Sequence, residues 1–191
     1  MRPSLAAQRE REILAALEAC VADVGIVGLT VQKVADRSGY SRGHVRHYLG
    51  NKADQIRALI DVYNERYAGE LERRVEAAPV SERRAVVLAE LFGPTWLHMR
   101  PEDDVVLDHL AAYAAAHPEA GASLRPMYTR IAGVVARSLA DVLSASEAES
   151  RAGVIVALAY GTSSMTRLGV VDADGARALA HGLLVLAEEP K

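Results

Sequence analysis

Cysteine occurs once in 191 residues, as Cys20. A lone thiol excludes an internal disulfide framework and any metal site built from several cysteines. Cys20 therefore reads as a small buried hydrophobe on the first helix. Long apolar runs are also missing. The longest uncharged stretch, Ala152 to Thr166, is too short and too rich in Gly, Ser and Thr to cross a bilayer. The N-terminal MRPSLAAQRERE becomes charged before the apolar core of a secretory signal can form, so a soluble cytoplasmic protein is expected. No HExxH, Gly-rich phosphate loop or nucleophile elbow is present. The adjacent pairs Asp108 with His109 and Asp103 with Asp104 point to different helix faces and form no catalytic constellation. The reading is of a chain that is not an enzyme and needs neither cofactor nor metal. An all-α enzyme with a fortuitously basic N-terminus is the alternative from another class.

Half of the residues are hydrophobic, ample for a core, whereas Phe and Trp occur once each. Alanine is abundant and the Val-rich stretches repeat at helical rather than alternating spacing, which predicts an all-α fold. Charge is unevenly spread. Residues 1–60 hold nine Lys/Arg against six Asp/Glu, a balance of +3; the whole chain holds 22 against 25, leaving −6 for residues 61–191. A cationic N-terminal part on an acidic body suits phosphate-backbone binding, because sequence-independent affinity for nucleic acid comes from counterion release.

The cationic part contains the most informative stretch, TVQKVADRSGYSRGHVRHYLGNK, from Thr30 to Lys52. Thr30 is placed to N-cap a first short helix whose Val31, Val34 and Ala35 share one face. Gly39 follows where a left-handed residue ends a helix. Ser41 caps a second helix, in which Val45 and Leu49 at i and i+4 face inward. Arg42, Gly43, His44, Arg46 and His47 are left outside. A Gly one turn into a helix costs about 1 kcal/mol relative to Ala, and close approach to DNA is a reason to keep it. A helix of this kind lies in the major groove with its N-terminal residues at base edges.

The offsets Thr30, Val31, Val34, Ala35, Gly39, Tyr40, Ser41, Gly43, Tyr48 and Lys52 resemble the helix-turn-helix of the tetracycline-repressor (TetR) family of transcriptional regulators, over roughly residues 8 to 60. Ser38 stands where Ala is usual there, Arg46 where an aromatic residue is usual and Leu49 where Phe is usual. None of these breaks the turn, and arginine serves phosphates well. The resemblance implies nine helices in two modules: an N-terminal three-helix DNA-binding domain at 1–50 and a helical ligand-binding and dimerisation domain at 51–191, bridged by the helix that starts at 51. It further implies a homodimer, usually a repressor, released from its operator by a small-molecule effector. A ligand-independent DNA-binding dimer is the alternative.

In chain order, Leu5 to Val24 is expected to form the first helix, with Gly25 and Gly28 turning the chain into Thr30. Asn51, with Asp54 in the first turn, caps a long fourth helix running toward Ala78 on the stripe Ile56, Leu59, Ile60, Tyr63 and Tyr67. Ser81 and Glu82 open a fifth, which Gly93 and Pro94 kink or end. Pro101 begins a sixth, to about His117. Pro118 and Gly121 read as a connection to a seventh ending at Leu143. Ser146 and Glu149 read as the capping box of an eighth reaching Leu168, and Asp172 or Asp174 starts the ninth.

Residue roles follow. Arg42 is the candidate for bidentate guanine reading, and His44 and His47 for base or phosphate contacts. Thr30, Ser41, Arg46, Tyr48 and Lys52 are the candidate phosphate contacts, with Gly43 giving clearance. Tyr48 has a structural role against the first helix as its alternative. The effector pocket that the resemblance implies would draw on Tyr63, Tyr67, Trp96, Met99, His109, Tyr113, Tyr128 and Tyr160, whose alternative is plain core. Ala157, Leu158, Gly161, Ser164 and Met165, with Leu179, Leu183 and Leu186, form small-and-large faces suited to a dimer interface. The expected partners are an operator duplex, a second copy of the chain and a small molecule, with no membrane. The two-fold symmetry of such a dimer requires a pseudo-palindromic site.

Overall fold

The computed structural model describes residues 4–93 and 101–188, all of whose regular elements are helical. The helices are α1 (Leu5–Gly28), α2 (Val31–Ser38), α3 (Arg42–Leu49), α4 (Lys52–Tyr63), a π-helical segment (Asn64–Gly69), α5 (Glu70–Ala77), α6 (Arg83–Phe92), α7 (Pro101–Ala116), α8 (Pro118–Leu139), α9 (Ala145–Arg167) and α10 (Ala173–Glu188). α4, the π segment and α5 follow without a break. Counted as one rod they give nine helices among the described residues.

The chain divides into two compact units, 1–64 with 100–125 and 65–99 with 126–191. Both helices that pass from one unit to the other are irregular where they do so. The first enters its π segment at Asn64, and α8 carries Pro126 in its interior.

In the first unit α1 is the centre, packing against α2, α3, α4 and α7. Ile13, Leu17, Cys20 and Val21 are buried on its inner face, meeting Val34 and Ala35 of α2, Val45 and Leu49 of α3, and Ile56, Leu59, Ile60 and Tyr63 of α4 in one core. The three- and four-residue spacing of these positions is why they share a side of each helix. In the second unit α6 packs against α5, α9 and α10, and contributes the buried Val87, Leu88, Leu91 and Phe92. Ile131, Val134, Val135 and Leu139 of α8 and Ala148, Ala152, Ile155 and Ala159 of α9 are buried there too.

Several boundaries differ from the sequence expectation, each for a tertiary or capping reason. α1 continues past Val24 to Gly28, kinked at Gly25, whose φ of 66° suits a residue without Cβ. The His109 ring lies over that kink: a Cβ on Gly25 would sit 3.0 Å from its Cε1. Pro118 and Gly121 are not a connection but the start of α8, since proline is pre-organised for the first helical turn. α8 ends at Leu139, short of Leu143. The capping box of α9 is Ser144 with Glu147, not Ser146 with Glu149: Ser144 Oγ accepts from Glu147 N, and the Glu147 carboxylate accepts from Ser144 N at 3.3 Å. α6 opens at Arg83 after a 3₁₀ turn at Val80–Glu82, and Arg83 donates to the Ala78 and Glu76 carbonyls.

Candidate nucleic-acid interface

The site is built from its caps outward. Thr30 Oγ1 accepts from Lys33 N at 3.2 Å and starts α2. Gly39, at φ 74°, ends that helix with its N–H on the Ala35 carbonyl. No atom lies within 4 Å of the position a Cβ would take, so the backbone angle rather than space selects glycine here. Tyr40 then crosses to α1, its hydroxyl donating to Glu12 Oε2 at 2.5 Å. That bond holds the Glu12 carboxyl below the usual carboxylate range and pushes the Tyr40 phenol up. Arg37 pairs with Asp23 and ties α2 to α1 in the same way. Neither cross-link has a local sequence signature, and both were missed.

Ser41 caps α3 by accepting from His44 N at 3.2 Å, and its Oγ lies 2.9 Å from His44 Nδ1. That contact orients the His44 ring. Val45 and Leu49 are buried, while Arg42, Gly43, His44, Arg46 and His47 are exposed along one side. The helix contains no acidic residue, and neither Arg42 nor Arg46 has an ion pair among the described residues. The N-terminal end of α3 adds a partial positive charge to this surface. A Cβ on Gly43 would meet only Ser41 Oγ, at 3.7 Å. Nothing inside the fold requires glycine there.

One proposed phosphate contact, Lys52, has an internal partner, as does the neighbouring Lys33. Lys52 is half-buried and its Nζ donates to the Val27 carbonyl at 3.3 Å; Lys33 Nζ donates to Gly28 O at 3.0 Å. Both ammonium groups thus satisfy carbonyls at the end of α1, and each keeps further N–H donors. Tyr48 is half-buried, in edge contact with the His47 ring at 5.1 Å between centroids.

The junction after α3 is tightly specified. Gly50 has φ 68°, and a Cβ there would sit 2.5 Å from Asp54 Oδ2. Asn51 caps α4 and Asp54 returns the bond to Asn51 N at 3.0 Å. Below them Gln55 is fully buried. Its Nε2 donates to the Gly50 carbonyl at 3.3 Å, while Oε1 has no hydrogen-bond partner. A buried acceptor left bare costs about 1–3 kcal/mol. Gln55 was also missed, although its signal is in the sequence: it is a polar residue in phase with the apolar stripe of Ile56, Leu59 and Tyr63.

The residues proposed for an effector pocket fall in several places. In the first unit, Tyr63 is buried and donates to Glu18 Oε1 at 2.7 Å and approaches Asp103 Oδ1 at 3.3 Å. His109 covers the Gly25 kink, and Tyr113 stacks on His117 at 3.8 Å between centroids. Tyr113 also borders a small cleft of about 50 Å³ whose lining includes Ile56, Arg57, Ile60, Glu119 and Ala120. In the second unit Tyr67 is buried, and Tyr128 and Tyr160 meet edge-on at 6.2 Å. Trp96 and Met99 lie outside the described residues.

On α9, Val154, Leu158 and Met165 are exposed, as is Leu168 at its C-cap, with Ala157 exposed and Gly161 half-exposed between them. Leu179 and Leu183 of α10 are half-buried, and Leu186 lies outside the residues with described side chains. No helix of the described residues is long and apolar enough to cross a membrane.

No family model and no curated protein matches the sequence. Solved structures do match. Salmonella enterica GusR superposes with a TM-score of 0.80 at 18% identity, over 97% of this chain and 98% of its own. A TetR transcription regulator from Haloarcula marismortui gives 0.77 at 19%, over 95% and 97%. The transcriptional regulator FadR from Bacillus subtilis, in complex with stearoyl-CoA, gives 0.72 at 17%, over 93% and 96%. Superposition across nearly the whole of each chain, at identities this low, shows that the chain has the all-α fold of the TetR-family transcriptional regulators.

Proposed function

We propose that the chain is a homodimeric DNA-binding transcriptional regulator, with residues 1–50 as the DNA-reading domain and 51–191 as the ligand-binding and dimerisation domain. One observation carries the reading: α3 starts on a serine cap and exposes Arg42, His44, Arg46 and His47 around Gly43, with no carboxylate of its own to neutralise them. Arg42 and His44, in the first turn, read base edges; Thr30, Ser41, Arg46, Tyr48 and Lys52 hold phosphates.

One such helix makes few base contacts, so a second copy is required, placing its own recognition helix about 34 Å away in the next major groove. The exposed apolar stripe of α9 and its C-cap supports that assembly, since a water-facing run of Val154, Leu158, Met165 and Leu168 is stabilised by covering it. The effector is a small molecule held in the second domain, and its binding releases the operator by favouring a conformation with mismatched helix spacing. The FadR structure holding stearoyl-CoA supports this for the shared fold. Repression is the expected sign of control.

Selection of bound duplexes from a random pool tests the reading directly, and should return a pseudo-palindrome. Failure to retain any duplex at low salt would overturn it. If the duplex is retained but no compound in a broad screen alters its affinity, the effector part falls alone.

A further inference from the structure

The junction between α3 and α4 holds one residue by both of its backbone polar groups. Gly50 donates its N–H to Arg46 O at 2.9 Å, inside α3, and its carbonyl accepts from the Gln55 side chain of α4. Its φ of 68° and the adjacent Asp54 carboxylate leave this short link little freedom. Beyond the shared core and the short link, one amide hydrogen bond ties the exit of the outward helix to α4. That amide is an unusual choice. Gln55 is fully buried, and its Oε1 has no hydrogen-bond donor. A Met or Leu of similar size fills the same space without stranding an acceptor. Gly50 itself is half-exposed, so water can replace the lost donor at its carbonyl.

We infer that Gln55 is a positioning residue for DNA reading: its amide latches the Gly50 carbonyl and sets the angle at which α3 leaves the fold, at a cost in global stability. A side chain that only supported the core would not be chosen with an empty acceptor. The inference rests on the DNA-binding reading above, and it separates two quantities that a structural role would move together.

The test is Gln55→Met in the full-length chain, with Gln55→Leu as a second variant should the first perturb packing. Three measurements apply: thermal midpoint, affinity for the duplex selected by the wild-type protein, and amide hydrogen exchange of the free protein. The expected result is a midpoint equal to or above wild type, operator affinity weaker by roughly 3- to 10-fold, and faster exchange at Val45 to Gly50 with α1 unchanged. Operator affinity equal to wild type, or midpoint and affinity falling together in both variants, would overturn the inference. A wild-type protein that binds no duplex would overturn the DNA-binding reading instead. The exchange experiment still decides the latch in that case: unchanged protection across α3 removes it.

Discussion

Arginine is used in opposite ways at the two ends of this chain. In the second unit, Glu72 accepts from Arg130 and Arg137 at 2.8 Å each, Glu65 from Arg73 and Arg130, and Glu70 from Arg73 and Arg74, with Arg74 reaching Glu90 at 3.0 Å. These guanidinium groups are consumed at home. Arg130 holds the Glu72 carboxyl below the usual carboxylate range, and the others act similarly on Glu65 and Glu70. On α3, Arg42 and Arg46 project into solvent with no such partner among the described residues. Abundance of arginine therefore says little about function; the presence or absence of a carboxylate within reach distinguishes a surface ion lattice from a surface kept ready for an external anion. The α9 face adds a third type, outward but apolar.

The largest effect is expected where the contrast between outward faces is reversed. Leu158→Glu puts a charge on the α9 stripe, and burying an unpaired carboxylate in a dimer costs more than burying any neutral polar group. Sedimentation at micromolar concentration should show a monomer, and an unaltered dimer would move the interface elsewhere. Next, Arg42→Ala should cost about 1–3 kcal/mol on the selected operator and much less on random duplex. Equal losses on both would remove its base-reading role. Ser41→Ala deletes the cap of α3 and the bond that fixes the His44 ring, for about 0.5–2 kcal/mol of stability in denaturant titration.

Lys52→Ala is expected to weaken all duplexes alike and lower the salt slope by about 1. A purely internal role, on the Val27 carbonyl, predicts loss of stability with the slope intact. Smallest is the ion lattice. Arg130→Gln should change the thermal midpoint modestly at neutral pH, because this half-buried pair is still partly screened by solvent, and leave DNA affinity unaltered. Because the Glu72 carboxyl is depressed in the folded protein, the stabilisation is present above the ordinary carboxylate value of 4.5 and fades as pH falls through the folded value. The midpoint difference between wild type and variant should therefore shrink in acid.

The elements read correctly from sequence are those whose causes are local. Thr30, Gly39, Ser41 and Asn51 each terminate or start a helix through bonds to residues within four positions, so residue type alone identifies them. The all-α fold follows from periodicity in the same way. What was illegible depends on partners far along the chain. The kink at Gly25 sits under His109, and the turn at Tyr40 is tied to Glu12. The misplaced cap of α9 is instructive, because Ser144 with Glu147 and Ser146 with Glu149 offer the same S-x-x-E spacing two residues apart. The bonds form at the earlier pair, Ser144 with Glu147.

The π-helical stretch at Asn64–Gly69 has one further consequence, for the evolution of the chain's length. A wide turn of this kind holds one residue more than an α-helical turn would, and its hydrogen bonds close on the fifth neighbour instead of the fourth. Losing a single residue there lets the backbone relax into ordinary α-helix while Tyr63 before it and Leu71 after it stay in their own cores. Elsewhere in the rod, the same loss would rotate every following side chain by about 100°. Natural one-residue gaps in this helix should therefore cluster between positions 64 and 69.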